Sequence, residues 1–255
     1  MNHRPELDEF LELARHHSLV PVYRQLIGDT LTPVSAFCKI QEGDWAFLFE
    51  SVVGGERLGR YSFLGSGPFL RFQAWGRKVL IQEPTSPRGS NPGQEFEHPD
   101  PLRLLEEKLA CYRAPHLAGL PRFCGGAVGY AGYDAVRYVE HLPNSPPDDR
   151  DLPDLCFALY DRMVIFDHLN KTIAVVAHAH VDPADPARGY REACARVDKL
   201  WNAFSRVWRT CSSPTSPRRA RSSAVAHPIL HRALSKPPWT GARNTSRRAI
   251  FFRWS

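Results

Sequence analysis

Three pairs of short apolar runs, each pair joined by a few turn-forming residues, set the limits on how this chain can fold. Residues 45–53 and 58–64 flank Gly54-Gly55, residues 69–73 and 78–82 flank Trp75-Gly76, and residues 155–166 and 172–179 flank His168-Leu169-Asn170-Lys171. Runs so close in sequence pair antiparallel, because a parallel partner needs a crossover of a dozen or more residues. Helical periods stand between them. Residues 5–16 place Leu7, Phe10, Leu11 and Leu13 largely on one side, with Glu6, Asp8 and Glu9 near the start, where the helix dipole favours acid. Residues 30–40 enter a short helix through Thr32-Pro33, and residues 100–112 form another, with Asp100 as N-cap, Pro101 in the first turn and Leu102, Leu105 and Leu109 on the buried side. A last helix covers about 185–204. Residues 19–26 read as extended, residues 125–130 as a small-residue strand leading into 134–140, and residues 84–99 and 143–153 as surface loops. The expected fold class is α+β, with antiparallel sheets built from hairpins and packed helices, not a doubly wound parallel sheet.

The charge is not spread along this pattern. The chain carries 33 Lys and Arg against 27 Asp and Glu, but residues 209–255 hold ten basic residues (nine Arg and Lys236) and no acid. Residues 1–208 therefore have 23 basic against 27 acidic residues, a net of −4, and offer no basic surface for phosphate. Nucleic-acid binding would rest on the tail's charge alone. Beyond Trp208, Ser, Pro, Arg, Thr and Ala dominate and neither the helical nor the strand period holds, so residues 209–255 read as a basic disordered tail outside the domain formed by 1–208. With 43% hydrophobic residues the body can bury a core. No run approaches the ~18 apolar residues of a membrane span, and Met1 to Pro5 lead into an acidic helix rather than an apolar leader, which points to the cytoplasm.

Among chemistry-bearing side chains, Cys38, Cys111, Cys124, Cys156, Cys194 and Cys211 lack the close pairing of zinc or redox motifs and read as reduced thiols. His178 and His180 alternate at a strand end, a spacing open to a metal, yet no third ligand accompanies them and surface placement is favoured. Gly125, Gly126 and Gly129 have neither the G-x-G-x-x-G spacing nor a following Lys-Ser/Thr, which leaves close strand packing as their reason. The first hairpin brings Glu50 and Ser51 towards Arg60, Tyr61, Ser62 and Phe63. This is either a pocket for an amino acid or a Glu50–Arg60 cross-strand ion pair beside core aromatics, and pattern alone favours the ion pair.

Pro33-Val34-Ser35-Ala36-Phe37, Phe49-Glu50-Ser51, Gly55-Glu56-Arg57-Leu58-Gly59-Arg60-Tyr61-Ser62-Phe63-Leu64-Gly65 and Gly125-Gly126-Ala127-Val128-Gly129-Tyr130 follow one another across most of residues 18–180. In these motifs and their order the chain resembles the large subunit of anthranilate synthase. The resemblance implies conversion of chorismate to anthranilate and pyruvate with Mg²⁺, ammonia delivered by a glutamine amidotransferase partner, and inhibition by L-tryptophan through an amino-terminal site. The chemistry belongs to the carboxy-terminal half of such proteins, so residues 1–208 are expected to be the tryptophan-sensing domain, with no catalytic residue, metal or cofactor site in this chain.

The resemblance also reverses the preference at the hairpin: Glu50 and Arg60 would supply charges to L-tryptophan, Ser51 and Ser62 neutral hydrogen bonds, Tyr61 and Phe63 the walls. Residues 236–255 can be encoded so that a neighbouring reading frame contains Phe-Gln-Val-Val beneath Phe251 to Ser255, which resembles the opening of the family's catalytic domain. That implies a frameshift near residues 200–215, and an uncovered face that limits solubility. An uninterrupted frame would instead give a chorismate-using lyase. Aminodeoxychorismate synthase is similar in its amino-terminal part, but the long match through Gly54 to Gly65 favours anthranilate synthase.

Overall fold

The computed structural model describes residues 2–28, 31–50, 59–83, 93–144, 148, 150–205 and 248–253. In chain order these form α1 (Leu7–Ala14), β1 (Leu19–Ile27), α2 (Pro33–Ile40), β2 (Ala46–Phe49), β3 (Tyr61–Ser66), β4 (Leu70–Trp75), β5 (Lys78–Gln82), β6 (Gln94–Glu97) and α3 (Pro101–Ala110). There follow β7 (Gly126–Ala131), a 3₁₀-helix (Tyr133–Tyr138), β8 (Leu155–Tyr160), β9 (Arg162–Asp167), β10 (Thr172–His180), α4 (Pro186–Ser205) and β11 (Arg248–Arg253). Every strand pair is antiparallel, in one sheet of order β1-β10-β9-β3-β2 and a second of order β11-β7-β8-β4-β5-β6. The α+β architecture expected from the hairpin spacing is the one observed. Among the described residues no helix is long and apolar enough to cross a membrane.

Strand alternation turns the two sheets into a stack of layers. The inner face of the first sheet contributes Tyr23, Phe47, Met163, Ile165, Ala174 and Val176, which meet Val128, Ala158 and Tyr160 of the second. The outer face of the first sheet carries Leu64, Val164, Phe166, Ile173, Val175 and Ala177 against Ala36 and Ile40 of α2 and Val197 and Phe204 of α4. The outer face of the second sheet packs Leu70, Phe72, Phe157 and Leu159 under Leu105 of α3. Local chemistry starts the helices as expected. Thr32 and Ser35 form a reciprocal capping box at α2, with Pro33 in its first turn, and the Asp100 carboxylate accepts from the Arg103 N–H at 3.0 Å to start α3.

Three expectations are corrected. Residues 155–166 are not one strand of a hairpin: the chain breaks at Asp161, β8 belonging to the second sheet and β9 to the first. A continuous apolar run hides this break, because both strands are covered on both faces and neither shows a period of two. The supposed loop 84–99 contains β6, an exposed edge strand whose two glutamates mask it in sequence and whose Phe96 packs on the outer core of the second sheet. Residues 248–253, inside the segment read as structureless, form β11 against β7 in the register Arg248↔Ala131 to Arg253↔Gly126. The Gly54-Gly55 turn lies outside the described residues. Close packing does explain Gly129, where a Cβ would stand 2.0 Å from the Cys156 carbonyl oxygen.

Candidate functional site

The described ones among the sequence-predicted residues, Glu50, Arg60, Tyr61, Ser62 and Phe63, lie at the free side of the first sheet, where β2 is the edge strand and pairs with β3 in the register Phe47↔Gly65 and Phe49↔Phe63. Alternation sends Phe47, Phe49, Tyr61 and Phe63 to the inner face and Ser62 and Leu64 to the outer one. The inner residues form a row of rings: Phe47–Phe49 centroids are 5.1 Å apart, Tyr61–Phe63 5.9 Å, and Phe63–Phe123 5.2 Å in an edge-to-face contact. Phe47 also meets Tyr160 of the second sheet edge-on at 4.8 Å. Gly65 is required beneath that ring, since a Cβ there would come within 2.3 Å of Phe47 Cε1. Phe49, Tyr61 and Phe63 are only half-buried, and the exposed Glu50 follows Phe49 directly. Burial, with the nearby Asp167 carboxylate, raises the Tyr61 phenol above its ordinary range, so it stays a neutral hydroxyl.

Arg60 and Ser62 are held by the β9–β10 turn. The Arg60 guanidinium donates to both carboxylate oxygens of Asp167, Nη2 to Oδ2 at 2.8 Å and Nε to Oδ1 at 3.1 Å, and its carbon lies 4.8 Å from the Tyr61 ring centre. The acid that pairs with Arg60 is thus Asp167 of β9, not the Glu50 of the cross-strand pair suggested by the sequence. Asp167 also accepts from the backbone N–H groups of Leu169 and Asn170, at 3.1 and 3.2 Å, and burial's upward push on its carboxyl is outweighed by these bonds and Arg60, so its pKa is lowered. Ser62 Oγ, fully buried, lies 2.7 Å from His168 Nε2 on the outer face. Tyr61 and Phe63 therefore share one side of the strand with each other but not with Ser62, and Ser51 lies outside the described residues. Sequence reasoning did not single out Asp167, His168 or Phe123. The run Asp167-His168-Leu169-Asn170 does carry a signal, since an Asp that can cap its own turn favours that position.

A second polar cluster sits where the chain passes between sheets. The Asp161 carboxylate accepts from His180 Nε2 at 3.1 Å and from Arg196 Nη1, while Arg196 Nη2 donates to the His178 carbonyl at 2.6 Å. Burial pushes the Asp161 carboxyl up, yet His180 and Arg196 hold it at about 2. The surface placement expected of both histidines holds for His180 and not for His178, which is wholly buried with its Nε2 3.8 Å from Cys124 Sγ; burial lowers its pKa to about 4 and raises the Cys124 thiol to about 12. Through the Asp161 carboxylate, His180 and Arg196, this cluster ties the passage between β8 and β9 to β10 and α4.

Comparison with known proteins bears on the whole chain. Residues 47–245 match the profile of the family described as chorismate binding enzyme. Anthranilate synthase component 1 of Acetivibrio thermocellus is 36% identical over 223 residues, covering 87% of this chain and 44% of that protein. The chloroplastic anthranilate synthase alpha subunit 2 of Arabidopsis thaliana is 35% identical over 208 residues, 76% of this chain and 33% of that one. The solved structure of anthranilate synthase component I from Streptococcus pneumoniae is 24% identical over 75% of this chain and 37% of its own, with a TM-score of 0.40, a likeness too loose to carry geometry across. The chain spans less than half the length of the relatives it matches. On the profile match and the motifs it carries, the chain belongs to the anthranilate synthase component I family of chorismate-binding enzymes.

Proposed function

We propose that this chain is the tryptophan-sensing part of an anthranilate synthase component I and that L-tryptophan binds on the inner face of β2 and β3. The observation that supports it is the half-buried row of Phe49, Tyr61 and Phe63 beside the exposed Glu50. The indole of tryptophan needs an apolar slot, and the α-ammonium of the amino acid needs a carboxylate, which Glu50 supplies; Arg60, already bonded to Asp167, lies at the rim. Ser51 belongs to the same proposal through its place beside Glu50 in the chain. In the intact protein tryptophan would favour the arrangement in which the catalytic half works poorly, and ammonia would come from a glutamine amidotransferase partner. The further reading that residues 209–255 are translated out of frame rests on their ten basic residues without an acid. Resequencing the gene across codons 195–215 tests it, and an uninterrupted frame there would remove it.

The test of binding is thermal unfolding of the full chain with L-tryptophan, D-tryptophan and L-phenylalanine. At a hundredfold excess over Kd, a ligand bound only by the native state stabilises by about 2.7 kcal/mol. L-Tryptophan should raise the transition, and Glu50→Gln, at an exposed position, should abolish the rise while leaving the unliganded transition in place. An equal response to all three ligands, or none, would remove the proposal.

A second reading, a chorismate-using lyase, is favoured by the family match running on to residue 245. Among the described residues no group of three or more His, Cys, Asp or Glu could hold a metal, so the Mg²⁺ implied by the resemblance finds no ligand set there. Anthranilate fluorescence from chorismate, ammonium and Mg²⁺ would establish this reading; a silent assay would leave the sensing function alone.

A further inference from the structure

β7 has the composition of an interior strand. Gly126-Ala127-Val128-Gly129-Tyr130-Ala131 contains no charge and no proline, whereas sheet edges in soluble proteins are blunted by charge, proline, short length or a covering segment. The other three edges here follow that rule. β1 carries Pro21 and Arg24 and is bridged at Tyr23 by Arg4, β2 is four residues long, and β6 has two glutamates in four residues. On one side β7 pairs with β8 over its full length, from Gly126↔Tyr160 to Ala131↔Leu155. On the other it pairs over its full length with β11, a segment far along the chain whose central four residues, Ala249-Ile250-Phe251-Phe252, are apolar.

We propose that the outer edge of β7 is a strand-acceptor site that reads backbone rather than side chains, and that its occupant is an extended apolar segment of this chain carboxy-terminal to α4, here residues 248–253. Main-chain hydrogen bonds supply the affinity in this mode of recognition, and any β-forming run of the right length satisfies it. This accounts for a strand inside a stretch whose composition and lack of period argue against one. Left without its second neighbour, β7 would present an unguarded row of N–H and C=O groups to other chains. The inference is independent of tryptophan binding.

The Gly132 N–H donates to the Asp154 carbonyl in the register of β7 with β8, so the alternate residues Ala127, Gly129 and Ala131 turn their N–H and C=O groups to β11, and Ile250, opposite Gly129, is a ladder donor. Hydrogen–deuterium exchange on the full chain tests the proposal, comparing Ile250→Pro, which removes that donor, with Ile250→Val, which keeps β-forming character. In Ile250→Pro the amides of Ala127, Gly129 and Ala131 should exchange faster by roughly tenfold or more, while those of β10 in the other sheet stay protected. Ile250→Val should match the parent chain. Should Ile250→Pro also unprotect β10, an added peptide of residues 246–255 must restore protection in both sheets, and failure to do so overturns the proposal. So does unchanged β7 exchange in Ile250→Pro, or equal damage from Ile250→Val.

Discussion

His178 carries its whole side chain into the space between the sheets, and that placement has a pH consequence. Burial lowers its pKa from 6.5 to about 4. Between those values the unfolded chain binds a proton that the folded chain refuses, so stability is fully present above 6.5 and is lost as pH falls towards 4. The loss expected over that window is on the order of 3 kcal/mol, read as a fall in urea midpoint as pH is lowered. His178→Asn should flatten the profile; an equally steep fall in that variant would assign the acid sensitivity elsewhere. Asp161 adds its own loss at lower pH, since its carboxyl is held at about 2 against an ordinary 3.8. Its upward push from burial is outweighed only because Arg196 and His180 converge on it, which is how a buried carboxylate stays charged.

At the level of elements, the β9–β10 turn and β3 behave as one piece. Asp167 joins Arg60 to the backbone of Leu169 and Asn170, and the His168 N–H donates to the Arg60 carbonyl at 2.9 Å. Asp167→Ala should lower the urea midpoint, because it removes the acceptor shared by Arg60 and the backbone N–H groups of Leu169 and Asn170, and it should shrink the tryptophan-induced stabilisation by loosening Tyr61 and Phe63. Urea unfolding with and without L-tryptophan reads both; a full ligand response in Asp167→Ala would uncouple the turn from the slot. Elements with strong local signals were legible in the sequence. Thr32-Pro33 and Asp100-Pro101 announced α2 and α3, and Gly54-Gly55 and Trp75-Gly76 announced hairpins whose strands pair as expected. The candidate slot was legible in its residue types but not in its sidedness. That Ser62 turns away from Tyr61 and Phe63 follows from alternation, yet which side faces the second sheet depends on partners far along the chain. The partner of Arg60 was hidden for the same reason, Asp167 being 107 residues away. β6 and β11 escaped because polar or basic surroundings drown a short strand's period.

Across the whole molecule the chain passes repeatedly between the sheets: β3 leads into β4 of the second sheet, and β8 into β9 of the first. Neither sheet can be completed without the other, and their inner faces share one core. The body is therefore expected to unfold as a unit, with far-ultraviolet circular dichroism and tryptophan fluorescence tracing the same urea curve. Separated curves would show that one sheet survives without the other. The passage from β8 to β9 takes a single residue, Asp161, with Tyr160 and Met163 facing the inter-sheet core and Val164 the helical layer. Because side chains alternate with a period of two, one codon gained or lost at that joint would turn Met163 and Ile165 towards the helices and Val164 and Phe166 towards the second sheet. A substitution at that joint alters one side chain, whereas a change in its length exchanges the two faces of β9 and so undoes the sandwich.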